Sequence, residues 1–105
     1  MIRGTTPTHS FDLPIEASLI DRLTLVYRQK KEIKIRKTLN DVVLEGKRGH
    51  VKLREVDTLA LREEVDVDVQ LRCGYDIGDD EFRYASTEVT LPVERILEDG
   101  PLLVE

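Results

Sequence analysis

The side chains that could do chemistry in this chain are few and far apart. It holds two histidines, His9 and His50, and a single cysteine, Cys73. Ser10, Ser18 and Ser86 all lie outside any Gly-x-Ser-x-Gly elbow, so none is expected on the strained turn that presents a hydrolase nucleophile. A nucleophilic serine also needs a histidine held beside it by a third group. Neither histidine has such partners around it in sequence. Cys73 closes the strongest apolar alternation of the chain and reads as a small core residue. His9 lies on the apolar side of its own alternation and reads as a packed histidine. With no close His/Cys spacing, a tetrahedral zinc site is not expected. The sequence therefore predicts a non-enzymatic protein without a cofactor or metal.

Two charged constellations remain. Asp76, Asp79, Asp80 and Glu81 offer carboxylate oxygens of the kind that calcium accepts. They lack the alternating ligand order of an EF-hand loop, and a connection between strands is an ordinary place for solvated charge. They read as an acidic interaction loop before they read as a calcium site. Gly46-Lys47-Arg48-Gly49 is a short turn with no helix after it to hold a phosphate.

The other constellation is basic. Residues 28–54 carry a net +7, against −1 for residues 1–27 and −11 for residues 55–105. Lys34 and Arg36 fall on one side of an expected strand, and Lys52 and Arg54 on one side of another. These four are the candidate basic interaction face. No aromatic residue follows Tyr27 within the run, so no stacking platform for bases is visible. The acidic remainder would also repel nucleic acid at longer range. A solvated face is favoured over a nucleic-acid interface, and contact with an acidic protein surface ranks at least level with the latter.

The elements that must position these groups are strands. Val65, Val67, Val69, Leu71 and Cys73 alternate with Asp66, Asp68, Gln70 and Arg72, the pattern of a strand with one apolar and one wet face. Shorter alternations put His9, Phe11 and Leu13 on one face, Ile33 and Ile35 on another, and Val51 and Leu53 on a third. Near the end Ala85, Thr87, Val89 and Leu91 oppose Tyr84, Ser86, Glu88 and Thr90. Residues 18–30 fit either period, with the strand preferred and a turn at 29–31. Glu55–Leu61 reads as one helical turn, and Val93, Ile96 and Leu97 as a further turn or an edge strand. Pro14, Asn40-Asp41, Gly46–Gly49, Gly74, Gly78 and Asp99-Gly100-Pro101 punctuate the runs.

Seven or eight short strands with no long helical pattern predict an all-β fold. The expected form is a single antiparallel immunoglobulin-like β-sandwich over residues 1–105. The antibody-domain marks are missing, since there is no tryptophan and no cysteine pair; a small barrel is the competing form. The composition, 40% hydrophobic and 35% charged, is that of a globular domain and excludes a disordered tail. No run approaches the ~18 apolar residues of a membrane span, and the N-terminus lacks an apolar leader, so neither membrane insertion nor secretion is expected. One unpaired cysteine fits a reducing compartment.

The opening Met-Ile-Arg-Gly-Thr-Thr-Pro-Thr-His-Ser-Phe-Asp-Leu-Pro (Met1–Pro14) resembles a family of small phage and prophage proteins of Gram-positive bacteria. The similarity continues through residues 23–28, 40–46, 51–53, 87–93 and 96–100, although Arg3–His9 is its distinctive part. The basic run at residues 28–37 is a departure from the pattern. The resemblance implies a virion structural component of the tail, baseplate or head–tail region, made in the bacterial cytoplasm. Its expected partners are other virion proteins or copies of itself, and nucleic acid is disfavoured. It supplies no catalytic residues. The apolar run Leu102-Leu103-Val104 is a candidate contact edge. The alternative reading is a monomeric sandwich that binds nucleic acid or a surface ligand.

If the 65–73 alternation is a core strand, Val67→Asp or Val69→Asp buries a carboxylate with no partner. The cost is several kcal/mol against a total stability of roughly 5–15 kcal/mol. Either variant should lose the amide dispersion of a folded domain in NMR spectra; retained wild-type dispersion would mean that the faces are assigned the wrong way round.

Overall fold

Runs of alternating residues give eight strands, one short α-helix and two 3-10 turns among the described residues of the computed structural model. The strands and the α-helix are β1 (Thr8–Asp12), β2 (Arg22–Gln29), β3 (Glu32–Thr38), β4 (Val43–Glu45), β5 (Arg48–Lys52), α1 (Glu55–Leu59), β6 (Val67–Ile77), β7 (Asp80–Ala85) and β8 (Val89–Leu91). The structure describes residues 1–98 and 100–102. Asp99 of the expected closing turn and Leu103-Val104 of the apolar run lie outside the described residues.

The strands form two antiparallel sheets, a three-stranded one in the order β1-β5-β4 and a five-stranded one in the order β3-β2-β6-β7, with β8 beside β6. The chain is therefore an all-β sandwich. An immunoglobulin constant domain keeps its second strand between its first and fifth; here β2 lies between β3 and β6 in the other sheet. The core fills the space between the sheets. Leu23, Leu25 and Tyr27 from β2, Val67, Leu71 and Cys73 from β6, and Val51 from β5 are all buried.

Residues 18–30 resolve into a single 3-10 turn at Ala17–Leu19 followed by β2. The turn into β3 is Lys30-Lys31, with both residues at positive φ (45° and 70°). A two-residue hairpin of matching twist requires that conformation, although Asn-Gly is its usual sequence.

Two alternations change face. The β2–β3 pairing shifts register between Tyr27 and Arg28, where Tyr27 pairs with Ile35 and Arg28 with Ile33. This bulge turns Ile33 outward, leaving it 46% exposed, while Ile35 stays in the core. The expected run 84–91 is interrupted as well. Tyr84 pairs with Cys73 but Val89 pairs with Val69, one residue out of step. Ser86 bridges the break by accepting the Leu71 N–H at its hydroxyl (2.9 Å). Tyr84 consequently lies on the core side and Ala85 outside, the reverse of the sequence reading, whereas Leu91 keeps its inward face.

Buried polar side chains tie the sheets to the connections. Gln29, at the end of β2, donates to the carbonyls of Arg62 (2.9 Å) and Val65 (2.8 Å) and accepts the Arg62 N–H (2.7 Å). The Lys37 ammonium of β3 reaches the Asp57 carboxylate of α1 at 2.8 Å, with both side chains almost fully covered. Thr58 is completely buried and donates to the carbonyl of Thr5 (2.8 Å).

The distinctive opening is tied into the same region. The Arg3 guanidinium donates to the carbonyls of Leu61 (2.6 Å) and Leu59 (3.0 Å), which the end of a helix leaves without partners. Gly4 holds φ +75° with Ile96 close against it, and Pro7 accepts the Leu53 N–H (2.9 Å).

Gln29→Leu keeps the volume but strands one N–H and two carbonyls at the base of the sandwich. Each group that water cannot reach costs about 1–3 kcal/mol. The urea midpoint should fall clearly with an unchanged m-value; a midpoint at the wild-type position would show that these groups find water.

Candidate functional site

The charged surface that the fold assembles is the outer face of the larger sheet. Strand alternation sends Thr24, Val26 and Arg28 outward from β2, and Asp68, Gln70 and Arg72 outward from β6. Arg36 of β3 lies opposite Val26. A shallow depression of about 420 Å³ opens over Val26 and Ile33, bordered by the guanidinium groups of Arg28, Arg36 and Arg72. Arg28 is 3.4 Å from the Glu88 carboxylate. Asp68 accepts the Thr90 hydroxyl (2.9 Å). Among the described residues Arg36 and Arg72 have no ion-pair partner. A guanidinium left open in this way suits a carboxylate, which it can take through two parallel hydrogen bonds.

The four cations expected to share one face do not. Lys34 sits at the bulge, outside the depression, with its ammonium 3.2 Å from Glu32. Arg36 alone of the four lines the depression. Lys52 alternates with buried Val51 and so points out from the smaller sheet, on the opposite side of the sandwich. Arg54 precedes α1 with its guanidinium 3.5 Å from Asp57. The missing partner of Arg36 is Arg72, which belongs to the acidic half of the sequence. Its signal was its place on the wet face of the 65–73 alternation, but only the β2–β6 pairing carries it beside Arg36.

The four acidic residues do come together, on a projection. The β2–β6 pairing stops at Arg22 and Gly74, whereas β6 and β7 stay paired to Ile77 and Asp80. The last three pairs form a two-stranded arm. Its turn is Gly78-Asp79, with Gly78 at φ +60°. On one face Asp76 is gripped by Arg22 (2.7 Å) and Arg83 (2.9 Å). A Cβ on Gly74 would come within 2.5 Å of the Phe82 carbonyl and 2.9 Å of the Arg83 side chain, so glycine is required where that side chain crosses. On the other face Tyr75 and Phe82 stack with centroids 4.7 Å apart. Asp79, Asp80 and Glu81 are exposed around the turn. The stacked pair was missed in the sequence, although Tyr75 and Ile77 simply extend the alternation past Gly74.

The remaining candidates lie apart from both surfaces. His9 stacks on Tyr27 across the sandwich, with the Tyr27 hydroxyl 2.5 Å from its Nδ1. Burial, and then the nearby N-terminal charge, hold the His9 pKa below the usual imidazole value. Burial and the Asp57 charge push the Tyr27 phenol up, so it stays protonated. We assign it as donor to a neutral His9. Burial also pushes the Cys73 thiol up, away from the reactive thiolate. His50 is exposed on the smaller sheet beside Ser10 and Arg48. Among the described residues no group of three or more His, Cys, Asp or Glu side chains is placed to hold a metal ion. Comparison with protein-family models, curated proteins and solved structures finds no match to the chain.

The buried titrations give the fold a pH dependence of known sign. Below pH ~6.5 the unfolded chain protonates His9 more readily than the folded one, so stability falls as pH drops through that value. Burial pushes the Asp57 carboxyl up, but the Lys37 hydrogen bond, the Arg54 N–H and the Lys37 charge prevail and hold it low. Its contribution is present above the unfolded carboxylate pKa and is lost as pH falls through the folded value. His9→Gln keeps an acceptor for Tyr27 without a titrating ring. Its urea midpoint should depend less on pH between 7 and 5 than that of the wild type; identical slopes would place the His9 proton elsewhere.

Proposed function

We propose that the protein is a non-enzymatic structural component of a phage or prophage particle, built into the tail, baseplate or head–tail region by protein–protein contacts. The particle is suggested by the Arg3–His9 opening. The assembly role is supported by one observation, the β6–β7 arm that leaves the sandwich with an acidic turn and a stacked aromatic pair. An isolated two-stranded ribbon is marginal in water. Aromatic side chains within a polar rim are the usual make-up of a protein contact.

The charge distribution fits the same reading. Charge in such contacts sets register and steering more than affinity. Buried apolar area supplies most of the rest, and the exposed Ile33, Ile77 and Val89 offer it.

The alternative, a monomeric module that binds nucleic acid or another anionic ligand, is favoured by the arginine-bordered depression. Asp68 and Glu88 in that same depression weigh against a polyphosphate.

The deciding experiment is mass spectrometry and immunogold labelling of purified particles from cells carrying the gene. The chain should be present at a fixed copy number and at one position. Its absence from complete particles, with the protein left free in the lysate, would refute the structural role. Retention of the free protein on immobilised single-stranded DNA at moderate salt would then favour the alternative.

A further inference from the structure

We infer that the partner of the β6–β7 arm is a second copy of this chain, whose outer-sheet depression receives it. This rests on the assembly reading above and names its contact. Among the described residues no third strand pairs with the arm, and its apolar face ends exposed at Ile77. Tyr75, Asp76 and Ile77 pair only with Phe82, Glu81 and Asp80, because β2 ends alongside Gly74. By unbroken alternation from Cys73, Tyr75 and Ile77 point to the side that holds the core further along the strand. Yet Ile77 is 61% exposed. The apolar face thus runs out beyond the smaller sheet. It ends in Ile77 and the Tyr75–Phe82 stack, with Asp80 on the same face, Asp79 in the turn and Glu81 on the opposite face across from Asp76.

The depression has the complementary make-up. Its floor is Val26 and the outward-turned Ile33. Three arginines on its rim outnumber Asp68 and Glu88; Glu88 is paired with Arg28 and Asp68 is held by Thr90, which leaves Arg36 and Arg72 without ion pairs among the described residues. An apolar tip with carboxylates meets an apolar floor with guanidinium groups. Each guanidinium can take a carboxylate through two hydrogen bonds, while the aromatic pair and isoleucine fill the centre as water is excluded.

The contact cannot close within one molecule. Arg72 borders the depression, and Ile77 lies five residues along the same strand, about 17 Å away at ~3.4 Å per residue, on the opposite face of the sheet. The strand pairing holds the arm pointing away. One end of the sheet therefore carries the insert and the outer face carries the socket. Every copy has one of each, so the contact is heterologous and repetition closes a ring or extends a stack. The depression is a poor site for nucleic acid by comparison, since among the described residues no aromatic side chain lines it to stack a base.

The test uses two variants of the full chain, each confined to exposed residues. The insert variant is Asp79→Lys/Asp80→Lys/Glu81→Lys, and the socket variant is Arg36→Glu/Arg72→Glu. Circular dichroism and thermal melts confirm that both fold. Sedimentation velocity over a wide concentration range should show the wild type associating, less so as salt screens the charges. Either variant alone should associate at least about tenfold more weakly. Mixed together in equal amounts they should associate again, the two variants alternating, because the basic insert of one matches the acidic socket of the other and the unchanged insert and socket match as in the wild type. Ile77→Ser, which removes apolar contact and no charge, should weaken the wild-type association too. A wild type that stays monomeric, reversals without effect, or a mixture that stays monomeric would each overturn the contact. A monomeric chain that is nevertheless found in particles would overturn this inference alone and leave the structural role standing.

Discussion

Everything in this fold is referred to one strand. β6 keeps strict alternation along its eleven residues, with unbroken register to β2 over Asp68–Gly74 and to β7 over Arg72–Ile77. Its apolar face supplies Val67, Leu71 and Cys73 to the core, and its wet face supplies Asp68, Gln70 and Arg72 to the outer surface. A slip of one residue would exchange these sets and put three charged or amide groups inside. The strand is also longer than any neighbour, so its partners change along its length. It pairs with β8 at the start and β7 at the end, while β2 covers its other side only as far as Gly74. The arm, the break at residues 86–88 and the depression over Val26 follow from that mismatch in length.

A chain of 105 residues has little interior to spare, and this one spends part of it on polar groups. Gln29, Thr58 and the Lys37–Asp57 pair are buried, yet no buried side-chain nitrogen or oxygen among the described residues lacks a partner. Such groups add little net stability when satisfied and cost much when broken. They favour one arrangement of the connections over others. Gln29 fastens the loop before β6 to the end of β2, and Asp57 fastens α1 beneath β3. The conspicuous opening motif belongs to this system too, because Arg3 caps the end of α1 and His9 reaches Tyr27 across the core.

The strands were largely legible from alternation alone, since a half-buried strand must repeat every two residues. The faces were legible only where the register is continuous. Ile33 points outward because a bulge inserts one residue against β2, and Tyr84 points inward because one residue is lost from step before Val89. Neither shift leaves a mark in residue type. The basic face failed for a second reason. Sharing a side of a strand says nothing about which sheet the strand joins, and Lys52 and Arg36 ended on opposite sides of the sandwich. Arg72, hidden among acidic neighbours in sequence, needed the β2–β6 pairing to become visible. Acidic residues 76–81 were easier, because a tight hairpin keeps its members together whatever the rest of the fold does.

The central β2–β6 pairing also governs how the chain reaches this structure. β2 and β3 are joined by two residues, as are β6 and β7, and a hairpin of that kind closes within ~1–10 μs. The seam between these two hairpins instead pairs residues as distant as Arg22 and Gly74, after the intervening chain has been drawn in. On loop-closure entropy, that seam is expected to close more slowly than either hairpin. Until it closes, Leu25, Tyr27, Leu71 and Cys73 have only their hairpin partners for cover. The arm stands apart from this dependence: its ladder lies wholly within one local hairpin, so it can form before the body to which it is attached.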